Sequence, residues 1–596
     1  MLLMLTCALF IAPVNGADES DVTVIVTAER ASQPASESIA SATVVTAKEI
    51  KEMGAQTAAD ALRIVPGLTI VQNGQLGSFS SAKIRGTGSS QALVLIDGQR
   101  LSSSAFGSIA DLSKIPTDNI LRIEVIRGPV SSLYGSDAIG GVINIITKRP
   151  SVDSGEYTLG FGSNNRAERS VGVRGASDKV LWQINGSAPQ YTGDRPNSDF
   201  EATDLSGRLI FPEAMGWDIA LDGNIYHDRL GLPGSIAFSS LNDKQWWNRK
   251  NISLNAKRSI ADGQLEIRGY IMNQKLKELN PDFFTDTLIT GITKVGEMTY
   301  NREFGKHQMI FGVEYRDEDY EDIEGGVVVQ DKSITNSALF VQDRMPIGEK
   351  LDLVGGLRLD DHSTAGNKLS PRLGITHELG ANSRVRASYA EGFRAPSLVE
   401  LYYNNFGSTG NPNLKPEKSA QYEIGINTRC GVNTFDVALF TSRIRDQIAF
   451  VLVDPIFFTG TFENLDRTRQ KGIEFTWTRP IGKKADASFT YTYIDAVNLS
   501  NGTRLNGVPY NQAGLTLSKE IGSFNASLTG RWVDDRLFGS LTSASYTLFD
   551  LYLVQNRNKG IRPYLVIRNI GDKSYDEVAG YPAEGRSFEI GVRSSW

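Results

Sequence analysis

The chain has little of what several common protein classes depend on. Its 596 residues include only two cysteines and four histidines. Cys7 lies in an apolar N-terminal segment, so its removal would leave Cys430 alone, which excludes a disulfide scaffold. The four histidines are scattered and show no metal-site spacing. The net charge of −6 offers no general basic field, and we expect no nucleic-acid partner.

Long apolar runs are also absent beyond the N-terminus. No stretch of about 20 apolar residues follows it, and the mean hydropathy is −0.23, which excludes a helical membrane protein. Membrane barrels stay possible, because their strands are apolar on one face only. Glycine (58 residues) and aromatic residues (26 Phe, 20 Tyr and 7 Trp) are abundant, which is typical of strands, tight turns and interfacial aromatic belts.

The N-terminal segment has the pattern of a secretory signal. Residues 1–17 are apolar and then turn small and polar, which predicts a signal peptide cleaved near Gly16 or Ala17. No Lys or Arg precedes the apolar run, which departs from the usual pattern. A buried N-terminal strand is the alternative interpretation of these residues.

The segment before residue 150 has mixed helix and strand signals. Residues Glu49 to Val65 place apolar side chains on one face, which predicts a helix ended by Pro66-Gly67. Residues Ala92 to Ile96 and Val142 to Ile146 are continuous apolar runs, which predict strands buried on both faces.

After residue 150 the pattern changes to alternation with a period of two. Apolar and polar residues alternate over 309–316, 488–493 and 588–593, and similar segments recur between Gly, Asn, Asp and Pro. A sandwich and a membrane barrel share this signal. The length of the region, its lack of helical interruptions and the aromatic terminus Trp596 favour a barrel.

The length also predicts the size of the barrel. At roughly 20 residues per strand and connection, this region forms about 22 strands, and barrels of that size have a plugged lumen. The segment before it has a suitable size for the plug. We therefore predict a transmembrane antiparallel β-barrel of about 22 strands with an N-terminal α+β plug domain inside the lumen.

Several short segments, taken together and in order, resemble the TonB-dependent receptors over nearly the whole chain. Four lie in the predicted plug and three in the barrel: Ile84-Arg-Gly-Thr87, Val94 to Leu101, Ile123 to Pro129, Leu133 to Thr147, Glu391 to Pro396, Asn411 to Pro416 and Asn569 to Lys573. The resemblance implies a monomer in the lipid of the cell outer membrane, no enzymatic activity and no covalent cofactor. It divides the chain into a signal peptide (1–17), a leader (18–33), the plug (34–148) and the barrel (149–596).

The leader contains a segment that looks like a TonB box, the strand that TonB binds. This segment is uncharged until its last residue and can add to the edge of a partner's sheet through main-chain hydrogen bonds; it comprises Val22, Thr23, Val24, Ile25, Val26, Thr27, Ala28 and Glu29. A first plug strand is the alternative. The resemblance implies that TonB, with its inner-membrane partners ExbB and ExbD, pulls on the box, and that a periplasmic binding protein receives the substrate.

Four charges in the plug motifs are candidates for gating: Arg85, Asp97, Glu124 and Arg127. We expect them to meet carboxylates of the barrel. A structural network without any part in gating is the alternative interpretation.

The substrate is less well defined by the sequence. Haem is disfavoured, because the plug and residues 397–410 contain no histidine to serve as an axial ligand. The plug resembles the cobalamin (vitamin B12) receptors, and matching positions imply substrate contacts through Phe79, Ser81, Gly88, Phe106 and Gly107. All but Gly88 lie in two Gly/Ser-rich loops, 74–81 and 102–108. Loops shaped for another ligand are the alternative.

A ferric siderophore is the second candidate substrate. Aromatic side chains in the predicted outer loops would stack on such a chelate or belong to the interfacial belt: Trp246, Trp247, Tyr402, Tyr403 and Phe406. Cobalamin receptors also use Ca²⁺ to order their loops, and candidate ligands here are Asp194, Asp199 and Asp204, with the acidic run 317–322. Solvated acidic loops are the alternative.

Overall fold

A computed structural model describes residues 24–25, 33–282, 284–405, 408–454, 459–557 and 560–596. Two bodies follow each other along the chain. The first is a small mixed domain that ends near residue 150, and the second is a closed barrel that surrounds it.

Nine strands lie before residue 150. They are β1 Val24–Ile25, β2 Gln33–Pro34, β3 Ser41–Thr46, β4 Leu68–Gln72, β5 Ser80–Ile84, β6 Ala92–Ile96, β7 Gln99–Arg100, β8 Ile120–Arg127 and β9 Gly141–Thr147.

The strands after residue 150 include all those of the barrel. They are β10 Ser154–Gly162, β11 Arg166–Ala176, β12 Leu181–Ser187, β13 Gln190–Tyr191, β14 Phe200–Ala214, β15 Trp217–Gly231, β16 Lys244–Ile260, β17 Gly263–Asn280, β18 Thr285–Phe304, β19 His307–Glu324, β20 Val327–Ile347, β21 Leu351–His362, β22 Gly366–Gly380, β23 Ser383–Arg394, β24 Asn404–Asn405, β25 Ser408–Thr409, β26 Glu417–Cys430, β27 Asn433–Asp454, β28 Thr459–Pro480, β29 Ala485–Asn498, β30 Asn511–Ile521, β31 Phe524–Val533, β32 Arg536–Phe538, β33 Leu541–Ser543, β34 Tyr546–Gln555, β35 Gly560–Arg568, β36 Asp576–Val578, β37 Tyr581–Pro582 and β38 Ser587–Ser595.

The barrel closes through its first and last strands. Strand β10 pairs antiparallel with β38, with Leu159 opposite Val592. Twenty-two long strands form the closed antiparallel sheet. The short strands β13, β24 and β25 pair with these strands as additional pieces of the same barrel. The fold class predicted from the sequence, a barrel of about 22 strands with an N-terminal plug, is confirmed.

The alternation along each strand separates an apolar outer face from a polar lumen. In β19, Phe311 and Tyr315 are exposed on the outside, whereas Glu314 and Arg316 are buried inside. Only a lipid environment satisfies so many outward apolar side chains, because water would penalise their exposure. The predicted location in the outer membrane follows from this face and is shown by the fold.

The two rims of the barrel differ in the length of their connections. Turns of two residues join β14 to β15, β16 to β17 and β18 to β19 at one rim, while connections such as 232–243 and 569–586 lie at the other. Short turns face the periplasm and longer loops face the outside in bacterial barrels. Trp596, which follows β38, therefore lies at the periplasmic rim.

The plug is built on a five-stranded sheet in the order β3-β8-β9-β6-β7, with a separate hairpin of β4 and β5. Strands β6 and β9 pair in parallel, with Val94 opposite Ile143. Both side chains are buried in one core with Leu62, Ile84 and Ile123. The two continuous apolar runs are therefore inner strands, as predicted.

The long helix predicted over 49–65 is wrong. The segment forms two short helices, α1 Ala47–Glu52 and α2 Ala58–Leu62, separated by Gly54 with a positive φ of 62°. Thr57 is the N-cap of α2 and forms a capping box with Asp60, so α2 begins as a separate helix.

Two further short helices are α3 Ser131–Tyr134, in the plug, and α4 Leu398–Tyr402, in an outer loop. Single 3₁₀ turns occupy 35–37, 89–91, 104–106 and 112–114. No helix in the described part of the chain is long and apolar enough to cross a bilayer.

Candidate functional site

A buried ion-pair network, formed by Arg85, Arg127, Glu423 and Glu474, joins the plug to the barrel. Arg85 donates to Glu474 at 2.7 and 2.8 Å and to Glu423 at 2.6 Å. All four side chains are at most 3% exposed. Burial alone would lower the pKa of Arg85, but Glu474 and Glu423 raise it on balance, so the guanidinium stays charged.

The plug backbone comes very close to this network. Arg127 Nε lies 3.0 Å from Glu474, and the backbone N–H of Gly67 donates to Thr492 on the neighbouring strand β29. A Cβ atom on Gly67 would lie 2.1 Å from Glu474 Oε1, so only glycine fits here. The network therefore fixes the distance between the plug and the strands β26 and β28 that carry its carboxylates.

The expectation of barrel carboxylates is wrong for the other two candidate gating charges, because Asp97 and Glu124 are themselves carboxylates and pair with guanidinium groups. Asp97 lies in the turn between β6 and β7 at a positive φ of 49°, and it accepts a 2.7 Å bond from Arg208 of β14. Burial alone would raise the pKa of Asp97, but Arg208 and Thr147 lower it on balance. Glu124 pairs at 2.7 Å with Arg122, which belongs to its own plug strand. A part in gating stays a prediction for all four charges.

The plug surface that faces the outer vestibule is called the upper face and includes Phe79, Gly88, Phe106 and Gly107. Phe79 is 39% exposed, and Phe106 packs on Trp247 of β16 with ring centroids 4.7 Å apart. Gly107 ends a 3₁₀ turn at a φ of 68° and has open space where a side chain would lie. An aromatic floor with free backbone groups suits a large ligand.

Ser81 differs from the other predicted substrate residues. It is buried in β5, and its hydroxyl lies 2.9 Å from that of Ser89 in the 89–91 turn. The predicted loop 74–81 ends earlier than expected, because Ser80 and Ser81 already pair with Gln72 and Val71 in the β4–β5 hairpin.

The leader is described only in part. Val24 and Ile25 form β1, which pairs antiparallel with Pro34 and Gln33. The other residues of the predicted TonB box, 22–23 and 26–29, lie outside the described residues.

Comparisons with known proteins agree with this architecture. A family model described as "TonB dependent receptor-like, beta-barrel" matches residues 146–570, and one described as "TonB-dependent Receptor Plug Domain" matches residues 34–142. The chain belongs to the TonB-dependent receptors. Members of this family are receptors and transporters rather than enzymes, so the sequence-based family assignment and TonB-dependent transport are confirmed.

Solved structures of other receptors share the fold of this one. The siderophore receptor PirA from Acinetobacter baumannii is 18% identical with a TM-score of 0.79, covering 93% of this chain and 98% of its own. A copper transporter, OprC, is 17% identical with a TM-score of 0.82, covering 93% and 99%. A mutant of the ferric enterobactin receptor PfeA from Pseudomonas aeruginosa is 20% identical with a TM-score of 0.81, covering 96% and 100%.

The candidate calcium ligands of this receptor already have other partners. Asp199 accepts a 2.9 Å bond from Lys244, Asp194 accepts one of 3.1 Å from the backbone of Gly585, and Asp204 accepts one of 2.9 Å from Asn224. No three-residue group suited to a metal ion occurs among the described residues. The acidic run 317–322 lies within β19, whose alternation sends neighbouring carboxylates to opposite faces.

The aromatic candidates differ in burial: one packs against the plug, and the other described ones are half-buried. Trp247 is buried under Phe106, whereas Tyr402 at the end of α4 is half-buried beneath the ammonium of Lys332, 5.5 Å from the ring centroid. Trp246 and Tyr403 are also half-buried. Phe406 lies outside the described residues.

Sequence reasoning missed a second buried link between plug and barrel. Lys114, in the plug turn 112–114, lies 2.6 Å from Asp228 of β15, and both side chains are at most 1% exposed. Asp228 also accepts bonds from Tyr226 at 3.0 Å and from the backbone of Trp247 at 3.1 Å. A lone lysine gives no signal in the sequence, because its partner is distant along the chain and appears only when the barrel encloses the plug.

Proposed function

We propose that this receptor imports a bulky metal chelate, bound on the upper face and released inward when TonB moves the plug. The observation that carries this proposal is the upper face itself, where Phe79, Phe106 and Gly107 present aromatic rings and free backbone inside a closed barrel. Such a surface suits a large, rigid ligand better than a small ion or sugar.

A ferric siderophore is the candidate that the structural comparisons favour. Of the three similar proteins described above, one is a siderophore receptor, one is a ferric enterobactin receptor and the third is a copper transporter. The half-buried aromatic rings of Tyr402 and Tyr403 in the outer part of the barrel give such a chelate surfaces on which to stack, whereas Trp246 alternates with the inward Trp247 and faces the outside of the barrel.

Cobalamin is the second candidate, supported by the order of the plug segments in the sequence. Its corrin ring is large and bordered by amides. An amide is recognised by hydrogen-bond donors and acceptors rather than by cationic side chains. Gly107 on the upper face has open space around its backbone, where such amides could approach. Calcium enters as a condition to be tested, because Asp194 and Asp199 lie in the outer connection before β14.

Binding to the purified receptor separates the two candidates. Calorimetry with ferric enterobactin and with cyanocobalamin, each with and without Ca²⁺, should give saturable binding of one chelate. That binding should weaken in Phe79→Ala and Phe106→Ala, whereas Phe311→Ala, on the lipid face, should leave it unchanged. If neither chelate binds, and if cells that carry the receptor gain no TonB-dependent growth from either chelate, the proposal is wrong.

A further inference from the structure

One wall of the barrel, formed by β14 to β17 and called the route wall, contains two stacked cavities between barrel and plug. The lower cavity has a volume of about 560 Å³ and is lined by Arg208, Asp222, Asn255 and Arg268, one from each strand of the wall. The upper cavity has a volume of about 100 Å³.

The order of the two cavities along the barrel follows from the strand directions. On β14, which runs toward the periplasmic rim, Asp204 lines the upper cavity and Ile210 lines the lower one. On β16, which runs the same way, Asn251 lines the upper cavity and Asn255 the lower one. The lower cavity is therefore the one nearer the periplasm.

A buried ion pair separates the two cavities. Asp97, Gln99, Arg208 and Asp222 line both of them. Arg208 bridges Asp97 of the plug and Asp222 of β15, so the β6–β7 turn is held against the wall by charge. This contact is called the lower gate.

A second ion pair closes the upper cavity toward the outside. Arg249, which lines that cavity, reaches the backbone oxygen of Lys114, and the ammonium of Lys114 pairs with Asp228. Directly beyond Asp228, its partner Trp247 packs against Phe106 of the upper face. The Lys114–Asp228 pair is called the upper gate.

The opposite wall is closed in a different way. There the network around Glu474 is flanked by the apolar cluster of Phe440, Ile494, Ala496 and Val508, and a Cβ atom on Gly86 would lie 3.1 to 3.2 Å from three of these residues. Tight apolar packing of this kind does not depend on charge.

We propose that the route wall is the path by which substrate passes from the upper face to the periplasm, with the upper and lower gates as its two barriers. Each gate holds cationic and acidic groups that water can solvate once the plug shifts, so opening exposes a polar path. This inference rests on the proposed import function and adds the part of the barrel through which the substrate passes.

The test is the ionic conductance of the purified full-length receptor in planar lipid bilayers with KCl, which needs neither substrate nor TonB. The variant Lys114→Ala/Arg208→Ala removes the cation of each gate. The control, Lys48→Ala, removes a plug cation that pairs with Asp486 of β29 on the opposite wall and does not anchor the plug. We expect the open probability to rise at least about 100-fold in the gate variant, the lower limit for the loss of one buried ion pair, and to stay near that of the unmodified receptor in the control.

A second measurement covers a gate variant that fails to insert in the bilayer. Asn224→Cys places a thiol in the upper cavity, between the gates, in a Cys430→Ser background. A water-soluble maleimide should label it much faster when Arg208→Ala is added than when Lys48→Ala is added. Equal labelling in both, or conductance that opens in the control as readily as in the gate variant, would overturn the route while leaving the import function standing.

Discussion

Removal of Arg85 is the sharpest test of how the plug is held. The Arg85→Ala change removes three bonds of 2.6 to 2.8 Å from the buried Glu423 and Glu474, which then share only Arg386 and Arg127 as cationic partners among the described residues. Breaking a buried pair by removing one partner costs about 3–5 kcal/mol. It also removes the guanidinium that lies 4.3 Å from the centroid of the Phe440 ring.

The assay is unfolding of the plug in urea inside the intact barrel. In a Cys430→Ser background, Ser132→Cys places a buried thiol in α3, and its labelling reports release of the plug. With a urea dependence of about 2 kcal/mol per molar, the midpoint should fall by roughly 1.5–2.5 M.

The control breaks an exposed pair between the same two domains. Lys48 and Asp486 lie 3.8 Å apart with side chains 70% and 60% exposed, so Lys48→Ala should cost at most about 1 kcal/mol. A loss in Arg85→Ala no larger than in Lys48→Ala would refute the reasoning. Replacing Arg85 and Arg127 by Met and Glu474 by Gln should recover part of the stability, because Glu423 keeps Arg386 at 3.2 Å and no member of the network is then left buried as an unpaired charge.

Three further predictions address the leader, the upper face and the electrostatics of the plug. Ile25→Pro should abolish TonB binding while substrate binding is kept, because proline lacks the N–H that strand addition needs; unchanged TonB affinity in a pull-down would contradict the box. Phe106→Ala should raise the Kd for the bound chelate about tenfold through loss of its aromatic contact, with Phe311→Ala as the control. Burial lowers the pKa of Lys83 to about 8, so the free energy of unfolding should rise with pH between about 8 and 10.5. Lysine NMR should show a resonance that titrates near pH 8 and is absent in Lys83→Gln, beside that of Lys51, whose pKa is also lowered to about 8 by burial.

The architecture could be predicted from the sequence because patterns within short segments determine which residues form strands. Alternation with a period of two defines the barrel strands, and the continuous apolar runs at Val94 and Ile143 define the inner plug strands. The break at Gly54 was missed, because the apolar spacing continues across it and hides the change of direction.

The residues of the candidate site could be predicted only where they lie within a family motif. Arg85 and Arg127 stand in the family motifs, yet their carboxylate partners come from strands more than 300 residues further along. The Lys114–Asp228 pair has no motif at all. Pairs of this kind arise from closure of the barrel around the plug, and no local pattern in the sequence encodes that.

The strand order of the plug sheet has a mechanical consequence. The leader joins the sheet at β3, which is one edge, while the turn that carries Asp97 lies between β6 and β7 at the other edge. Tension on the leader therefore loads the β3–β8 pairing first, and it reaches β6 only through β8 and β9. Under tension the plug sheet can lose its strands one after another, beginning with β3. Alternatively, the sheet can rotate as one rigid unit about Arg85, which the barrel holds in place. The β6–β7 turn that carries Asp97 is displaced farthest by such a rotation.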